Sequence, residues 1–209
     1  MVRVSRDQAA TNRETLVAAA GRLFRQRGID GVGVAELCEA AGMTHGALYS
    51  RFGSKDELAV EAFTQGRAAS KARMEAAIGE KPDLASVLDS YVSRRHRDNA
   101  ADCCPMVASA SEAARQSMPL RSSFADAFRE LTGTVGDAIG GTSGNKADES
   151  AMVIAASMIG IVAVARALRG PDPALSHALI DASQAVLGSF ARTPARSRRT
   201  RKRKGQTSS

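Results

Sequence analysis

Apolar positions along this chain recur at intervals of three and four residues, the spacing of one face of an α-helix, and no stretch alternates as a half-buried strand would. The first ten residues are polar and predict a loose start. From Thr11 to Arg27, Leu16, Ala20, Leu23 and Phe24 share one face, Thr11 with Glu14 reads as a capping box, and Gly28 is the stop. Val34 to Ala41 is a short helix ended by Gly42. Thr44 caps another over His45 to Phe52, and Ser54 with Glu57 opens a long fourth helix toward Ile78. Leu84, Val87, Leu88, Tyr91 and Val92 mark a fifth after Pro82-Asp83, and Arg94 to Asp102 is its charged exit. Pro105 suits the first turn of a helix that Pro119 is expected to close; Phe124, Phe128, Leu131 and Val135 mark the next. A flexible loop is expected over Gly140 to Lys146, and Ala147 to Leu168 is the most apolar helix. Asp172 and Pro173 start a last helix expected to bury Leu175, Leu179, Val186, Leu187 and Phe190.

The fold class is therefore all-α, and composition agrees. Hydrophobic residues make up 44% of 209, aromatics only 4%, and alanine dominates, which favours packed helices. The formal charge of +7 is unevenly placed: eight of the 29 basic residues lie between Arg192 and Lys204, and without them 21 basic residues face 22 acidic ones. Net charge alone thus does not argue for a nucleic-acid partner. The region 191–209 reads as a basic disordered tail, either a non-specific phosphate-binding arm or a passive extension. Three cysteines make no disulfide framework and no secretory signal is read, so a reducing cytoplasm is the expected compartment. The uncharged run Ala151 to Ala165 falls short of a membrane span and reads as a buried helix, so no membrane partner is expected.

Chemistry concentrates in two short helices joined by Gly42-Met43-Thr44, the geometry of a helix-turn-helix. The second helix would present His45 and Ser50 to base edges or phosphates, Tyr49 to a phosphate oxygen, and a bare backbone at Gly46 for close approach. Leu48 and Phe52 would hold it on its neighbours. Lys55 lies in the first turn of the following helix, where N–H groups and the dipole also attract phosphate.

The run Gly31 to Leu58, above all Gly46-Ala47-Leu48-Tyr49 and Phe52-Gly53-Ser54-Lys55-Asp56-Glu57-Leu58, closely resembles the DNA-binding segment of the TetR family. The helix before it, with Ala18-Ala19-Ala20 and Leu23-Phe24 ahead of Arg27-Gly28, matches as well. The resemblance implies a three-helix DNA-binding head over 11–56 and a ligand-binding and dimerising body over 57–190. It also implies a homodimer on a palindromic double-stranded DNA operator, released by a small-molecule effector. Thr44, His45, Gly46, Tyr49, Ser50 and Lys55 fall on the family's DNA-facing positions. Gly33 stands where the family usually carries Ser or Thr, so a side-chain contact to phosphate is lost there and a backbone N–H remains. The last two helices would pair across a two-fold axis, with Ala155, Ala156, Gly160 and Ala163 allowing close approach; packing within one chain is the alternative.

Cys104 begins a helix downstream of Arg94, Arg95 and Arg97, a setting expected to lower a thiol pKa. The segment resembles the N-ethylmaleimide repressor subgroup, which makes a redox- or electrophile-sensing repressor the alternative function; a buried, inert cysteine is the other reading. Met106, Phe124, Phe128 and Met152 are expected to join Cys104 in an effector pocket. His96, Asp102, Cys103 and Cys104 match no common metal spacing, and no metal or cofactor is expected. No nucleotide-binding glycine fingerprint or nucleophile elbow is present, so an enzyme is not expected; a helical interaction module without operator binding is a further alternative.

Overall fold

The computed structural model describes residues 6–79, 81–140 and 145–189, and all of its regular elements are helices. In chain order they are α1 (Arg6–Arg27), α2 (Val34–Ala40), α3 (His45–Arg51), α4 (Lys55–Ile78), α5 (Leu84–Tyr91), α6 (Arg94–Asp98) and α7 (Pro105–Ser109). A 3₁₀ turn at Ala113–Arg115 precedes α8 (Met118–Ala138), α9 (Asn145–Leu168) and α10 (Pro173–Gly188). The expected tail, Phe190 and most of the Gly140–Lys146 loop lie outside the described residues.

Local chemistry explains most of these boundaries. Ser54 accepts from Glu57 N–H at 3.1 Å, a donor left over by the first turn of α4, while the Glu57 carboxylate turns back to Gly53 N–H, just before the cap, at 3.0 Å. Asp83 and Asp172 cap α5 and α10 in the same way, through Ser86 and Leu175 N–H. Two expectations are corrected. Helix α1 starts at Arg6 and runs through Thr11, so the Thr11–Glu14 pair is no cap; Thr15 instead bonds the Thr11 carbonyl within the helix. Pro119 opens α8 rather than closing α7, because a proline suits a first turn, where its missing N–H has no partner to lose.

One core runs through the molecule. Leu16, Val17 and Ala20 of α1 meet Leu37, Leu48 and Phe52 at one end, and Leu58, Ala62 and Phe63 of α4 carry it into the body. There Val87, Leu88, Leu131 and Val135 close on the inner face of α9, formed by Ile154, Met158 and Val162. Where α6 meets the α9–α10 turn, Arg97 is buried and fully engaged. It pairs with Asp98 at 2.8 Å and donates to Ser176 at 2.9 Å, and Ser176 in turn donates to the Ala165 carbonyl at 2.6 Å.

The outer side of α9 and α10 departs from expectation. Leu175 and Val186 are exposed, not buried, and with Met152, Val153 and Val164 they form an apolar face interrupted by the small residues Ala156, Gly160 and Ala182. Helix α9 is also longer than the uncharged run suggested: Glu149–Leu168 has the length and mean hydropathy, 2.2, of a membrane span, yet its inner face is core, packed between α8 and α10.

Candidate nucleic-acid interface and effector cavity

The turn between α2 and α3 depends on Gly42, whose φ of +65° lies where side chains are disfavoured. Met43 N–H returns to the Cys38 carbonyl at 2.8 Å and locks the reversal. Thr44 then caps α3, its hydroxyl oxygen accepting from Ala47 N–H at 3.3 Å. This uses the acceptor side of the hydroxyl and leaves its proton free for a phosphate oxygen.

Helix α3 buries Leu48 against the core, with Phe52 buried just after it; the opposite face is open. Thr44, His45, Gly46, Tyr49 and Ser50 are all exposed on it, Tyr49 by 52% despite its large ring. Gly33, at the start of α2, is exposed, and Lys55, the first residue of α4, is half-buried beside the same end. Ser50 donates to the Ala47 carbonyl at 3.0 Å and so faces outward as an acceptor. No protein atom lies within 4 Å of where a Cβ at Gly46 would sit, so nothing inside the chain demands a glycine in that helix. Alanine there would suit the helix at least as well as glycine.

One bracing residue has no signal in the sequence. Arg13 of α1 lays its guanidinium 4.0 Å over the Phe52 ring, donates to the Arg51 carbonyl at 2.7 Å, and pairs with Glu61 of α4. It thereby fixes the end of α3 to both long helices. Only the tertiary arrangement brings these groups together, across 38 and 48 residues of chain.

The body holds a cavity of about 550 Å³ walled by α4, α5, α8 and the segment from Ser93 to Met106. Of the expected pocket residues, Cys104 and Met106 line it. Phe124 and Phe128 do not: they pack half-buried against the core, with Phe124 6.1 Å from the Phe63 ring. Met152 is on the outer face of α9. The walls are more polar than expected, with Arg67, Lys71, Arg73 and Glu130 beside Met74, Ile78 and Leu131.

The cavity's other side bears on the head. Asn99, Asp102, Cys103 and Cys104 face the cavity, while Arg25 of α1 donates to the Ala101 carbonyl at 2.6 Å and Arg22 pairs with Asp102 at 3.5 Å. Farther on, Glu112 accepts from Ile29 N–H at 3.1 Å and Gln116 donates to Asp30.

Cys104 is not the activated thiol its position suggested. It is 4% exposed, and burial pushes the thiol pKa up, outweighing the hydrogen bonds that lower it. Two of the three upstream arginines are occupied elsewhere, Arg94 with Asp181 at 2.8 Å and Arg97 with Asp98, while Arg95 lies on the cavity wall. His96 is no base for it either. Its Nδ1 donates to the Tyr91 carbonyl at 2.7 Å and its Nε2 accepts from Cys104 N–H at 3.2 Å, which fixes a neutral ring facing backbone, not sulfur. Among the described residues no group of three or more His, Cys, Asp or Glu is placed to hold a metal ion.

Comparison with known proteins matches this arrangement at both ends. Residues 16–62 match the family described as bacterial regulatory proteins of the tetR family. Residues 83–178 match the C-terminal domain described as transcriptional regulator LmrA/YxaF-like. The HTH-type transcriptional regulator LmrA of Bacillus subtilis is 25% identical over 171 residues, covering 78% of this chain and 91% of LmrA. TtgR of Pseudomonas putida is 40% identical over 58 residues, a match spanning only 28% of this chain and 28% of TtgR. In fold, a TetR transcriptional regulator from Chloroflexus aurantiacus superposes with a TM-score of 0.75 at 21% identity, over 90% of this chain and 97% of that one. Reduced Escherichia coli NemR gives 0.66 at 20%, over 86% and 96%. The helix-turn-helix with its exposed α3 face, the helical body and both family matches agree: the chain belongs to the TetR family of DNA-binding transcriptional regulators.

Proposed function

We propose that this protein is a ligand-released repressor that binds a palindromic operator as a homodimer in the cytoplasm, and that it is not an enzyme. The observation that carries the reading is the open face of α3, where five polar or small residues stand exposed on a helix capped and braced from three sides. In this reading residues 11–56 bind DNA and 57–190 hold the effector and the second subunit. The apolar face of α9 and α10 supports the dimer, since a patch of that kind on a soluble regulator marks an interface. The cavity supports an effector, and the Asn99–Cys104 segment offers the route from effector to head.

Each residue has a distinct role. Thr44, Tyr49, Lys55 and the Gly33 N–H meet phosphates; His45 and Ser50 meet base edges; Gly46 lets the backbone close in. Lys55→Ala should weaken binding to every duplex alike and flatten the slope of log affinity against log salt by about 0.9, the share of one phosphate contact. Tyr49→Phe should weaken all duplexes alike with little change of slope. His45→Ala should change preference at particular operator positions, costing about 1–3 kcal/mol. Fluorescence anisotropy on a duplex set and footprinting read all three. A footprint without dyad symmetry, or no retention of any duplex by the purified protein, sinks the reading; the second result points to a helical interaction module.

A further inference from the structure

The long helices α1 and α4 each carry a single glycine in their interior, where glycine weakens a helix relative to alanine. One side chain accounts for both. A Cβ at Gly66 of α4 would lie 2.5 Å from Nη1 of Arg25, with the next protein atoms 3.7 Å away. A Cβ at Gly21 of α1 would lie 3.1 Å from the same nitrogen, and the Ala62 carbonyl oxygen is next at 3.6 Å. The Arg25 guanidinium therefore occupies a slot between α1 and α4 that the two glycines leave open. From that slot it crosses to the body, its Nε donating to the Ala101 carbonyl at 2.6 Å in the stretch that joins α6 to α7. Burial lowers its pKa from the ordinary value; nearby Cys103 and Asp102 oppose this, and Arg73 and Arg22 add to it. A guanidinium stays charged even so, and a charge partly out of water holds its acceptor firmly.

Helix α4 belongs to both head and body, so what keeps the head from rocking about it is what ties α1 to the body. Arg22 with Asp102, 3.5 Å apart, and Gln116 with Asp30 are exposed contacts, which contribute little. Glu112 is firmer, accepting from the N–H of buried Ile29 at 3.1 Å in the turn that follows α1. Arg25 and Glu112 thus pin the C-terminal end of α1 at two points, one on the 99–104 stretch and one beside the 3₁₀ turn. Two pins fix an orientation. One alone leaves a pivot.

We infer that Arg25 is the positioning residue that fixes the angle of the head on the body, and through it the half-site spacing that the dimer accepts. The inference rests on the reading of a homodimer on an inverted repeat. Each base pair added between half-sites moves one of them by about 3.4 Å and turns it by about 35°. Two heads held at both pins cannot follow such a change. Heads released at one pin follow part of it, and lose in exchange the preorganised fit to the right spacing.

The probes for the full chain are synthetic duplexes: an inverted repeat selected by the wild type from a random pool, the same repeat with one base pair added or removed at its centre, and a single half-site. The wild type should prefer the selected spacing sharply. Arg25→Met should cut the ratio of affinities, selected over altered spacing, about tenfold, the equivalent of about 1.4 kcal/mol. Affinity for the single half-site should stay within about twofold, because the α3 face is untouched. Gly66→Ala should cut the ratio in the same way while keeping every atom of Arg25, by driving the guanidinium from its slot. In the Arg25→Met background Gly66→Ala should add nothing, since the group it displaces is gone. Anisotropy reads the affinities, and circular dichroism with light scattering establishes the folded dimer. A spacing ratio unchanged in both single variants overturns the proposal. So does an equal loss on every duplex, half-site included, which would make Arg25 a residue of the fold alone. A wild type indifferent to spacing overturns the inverted-repeat reading itself, and this inference with it.

Discussion

Ala156→Glu is expected to be a monomer at micromolar concentration, and to lose the inverted-repeat duplex with it. Ala156 lies exposed on the outer face of α9, between Met152 and Val153 on one side and Gly160 on the other. Across a two-fold axis the same patch meets itself, so one substitution introduces two carboxylates into one contact. Each would leave water without a partner, at several kcal/mol apiece, which is most of what holds an ordinary dimer together. A single head then keeps only half the phosphate and base contacts. The monomer itself should stay folded, since the position touches no core and glutamate suits a helix interior. Light scattering, circular dichroism and anisotropy on one sample test all three statements. A folded dimer that still holds the duplex would show that α9 and α10 are not the interface.

Acid lability is the second large effect, and it centres on His96. Burial, with smaller contributions from the Arg166 and Arg73 charges, lowers its pKa from 6.5 to about 4, against the opposing pull of the Tyr91 carbonyl. The sign follows from which state takes the proton first. The folded pKa is the lower one, so the unfolded chain protonates earlier. The contribution is complete above pH 6.5 and is lost as pH falls from 6.5 toward 4, a difference on the order of 3 kcal/mol. Geometry gives the same answer, because a proton on Nε2 would point at the Cys104 N–H it now accepts from. Thermal melting across that range should fall steeply for the wild type. His96→Gln should start lower at neutral pH and show a flatter profile. A wild-type profile level from pH 6.5 to 4.5 would show that the ring accepts its proton without penalty.

What could be read without a structure was what neighbours in sequence decide. The caps at Thr44, Ser54 and Asp172, and the reversal at Gly42, depend on residues three or four apart and stand as expected; Asp83, read only as the break before the fifth helix, caps it as well. Pro119 was ambiguous for a physical reason: a proline is equally at home just after one helix and in the first turn of the next. Leu175 and Val186 were misassigned because apolar periodicity marks a face to be covered without saying whether the same chain covers it. Cys104 failed differently. Helix position and nearby arginines lower a thiol pKa, burial raises it, and burial depends on α5 and α8, far away in sequence. For the same reason Tyr91 looked like one more apolar position of α5; its burial against His96 and Cys104 exists only in the folded chain.

The six residues from Asn99 to Cys104 are cavity wall on one side and the hold of Arg22 and Arg25 on the other. On the proposed reading of an effector-released repressor, wall and hold are the same short stretch of backbone, so inducer-blind and constitutive phenotypes should not occupy separate territories. A genetic selection for variants deaf to the effector, and one for variants that never silence their target, should both return changes within this stretch. Neighbouring codons, and different substitutions at one codon, should give opposite phenotypes.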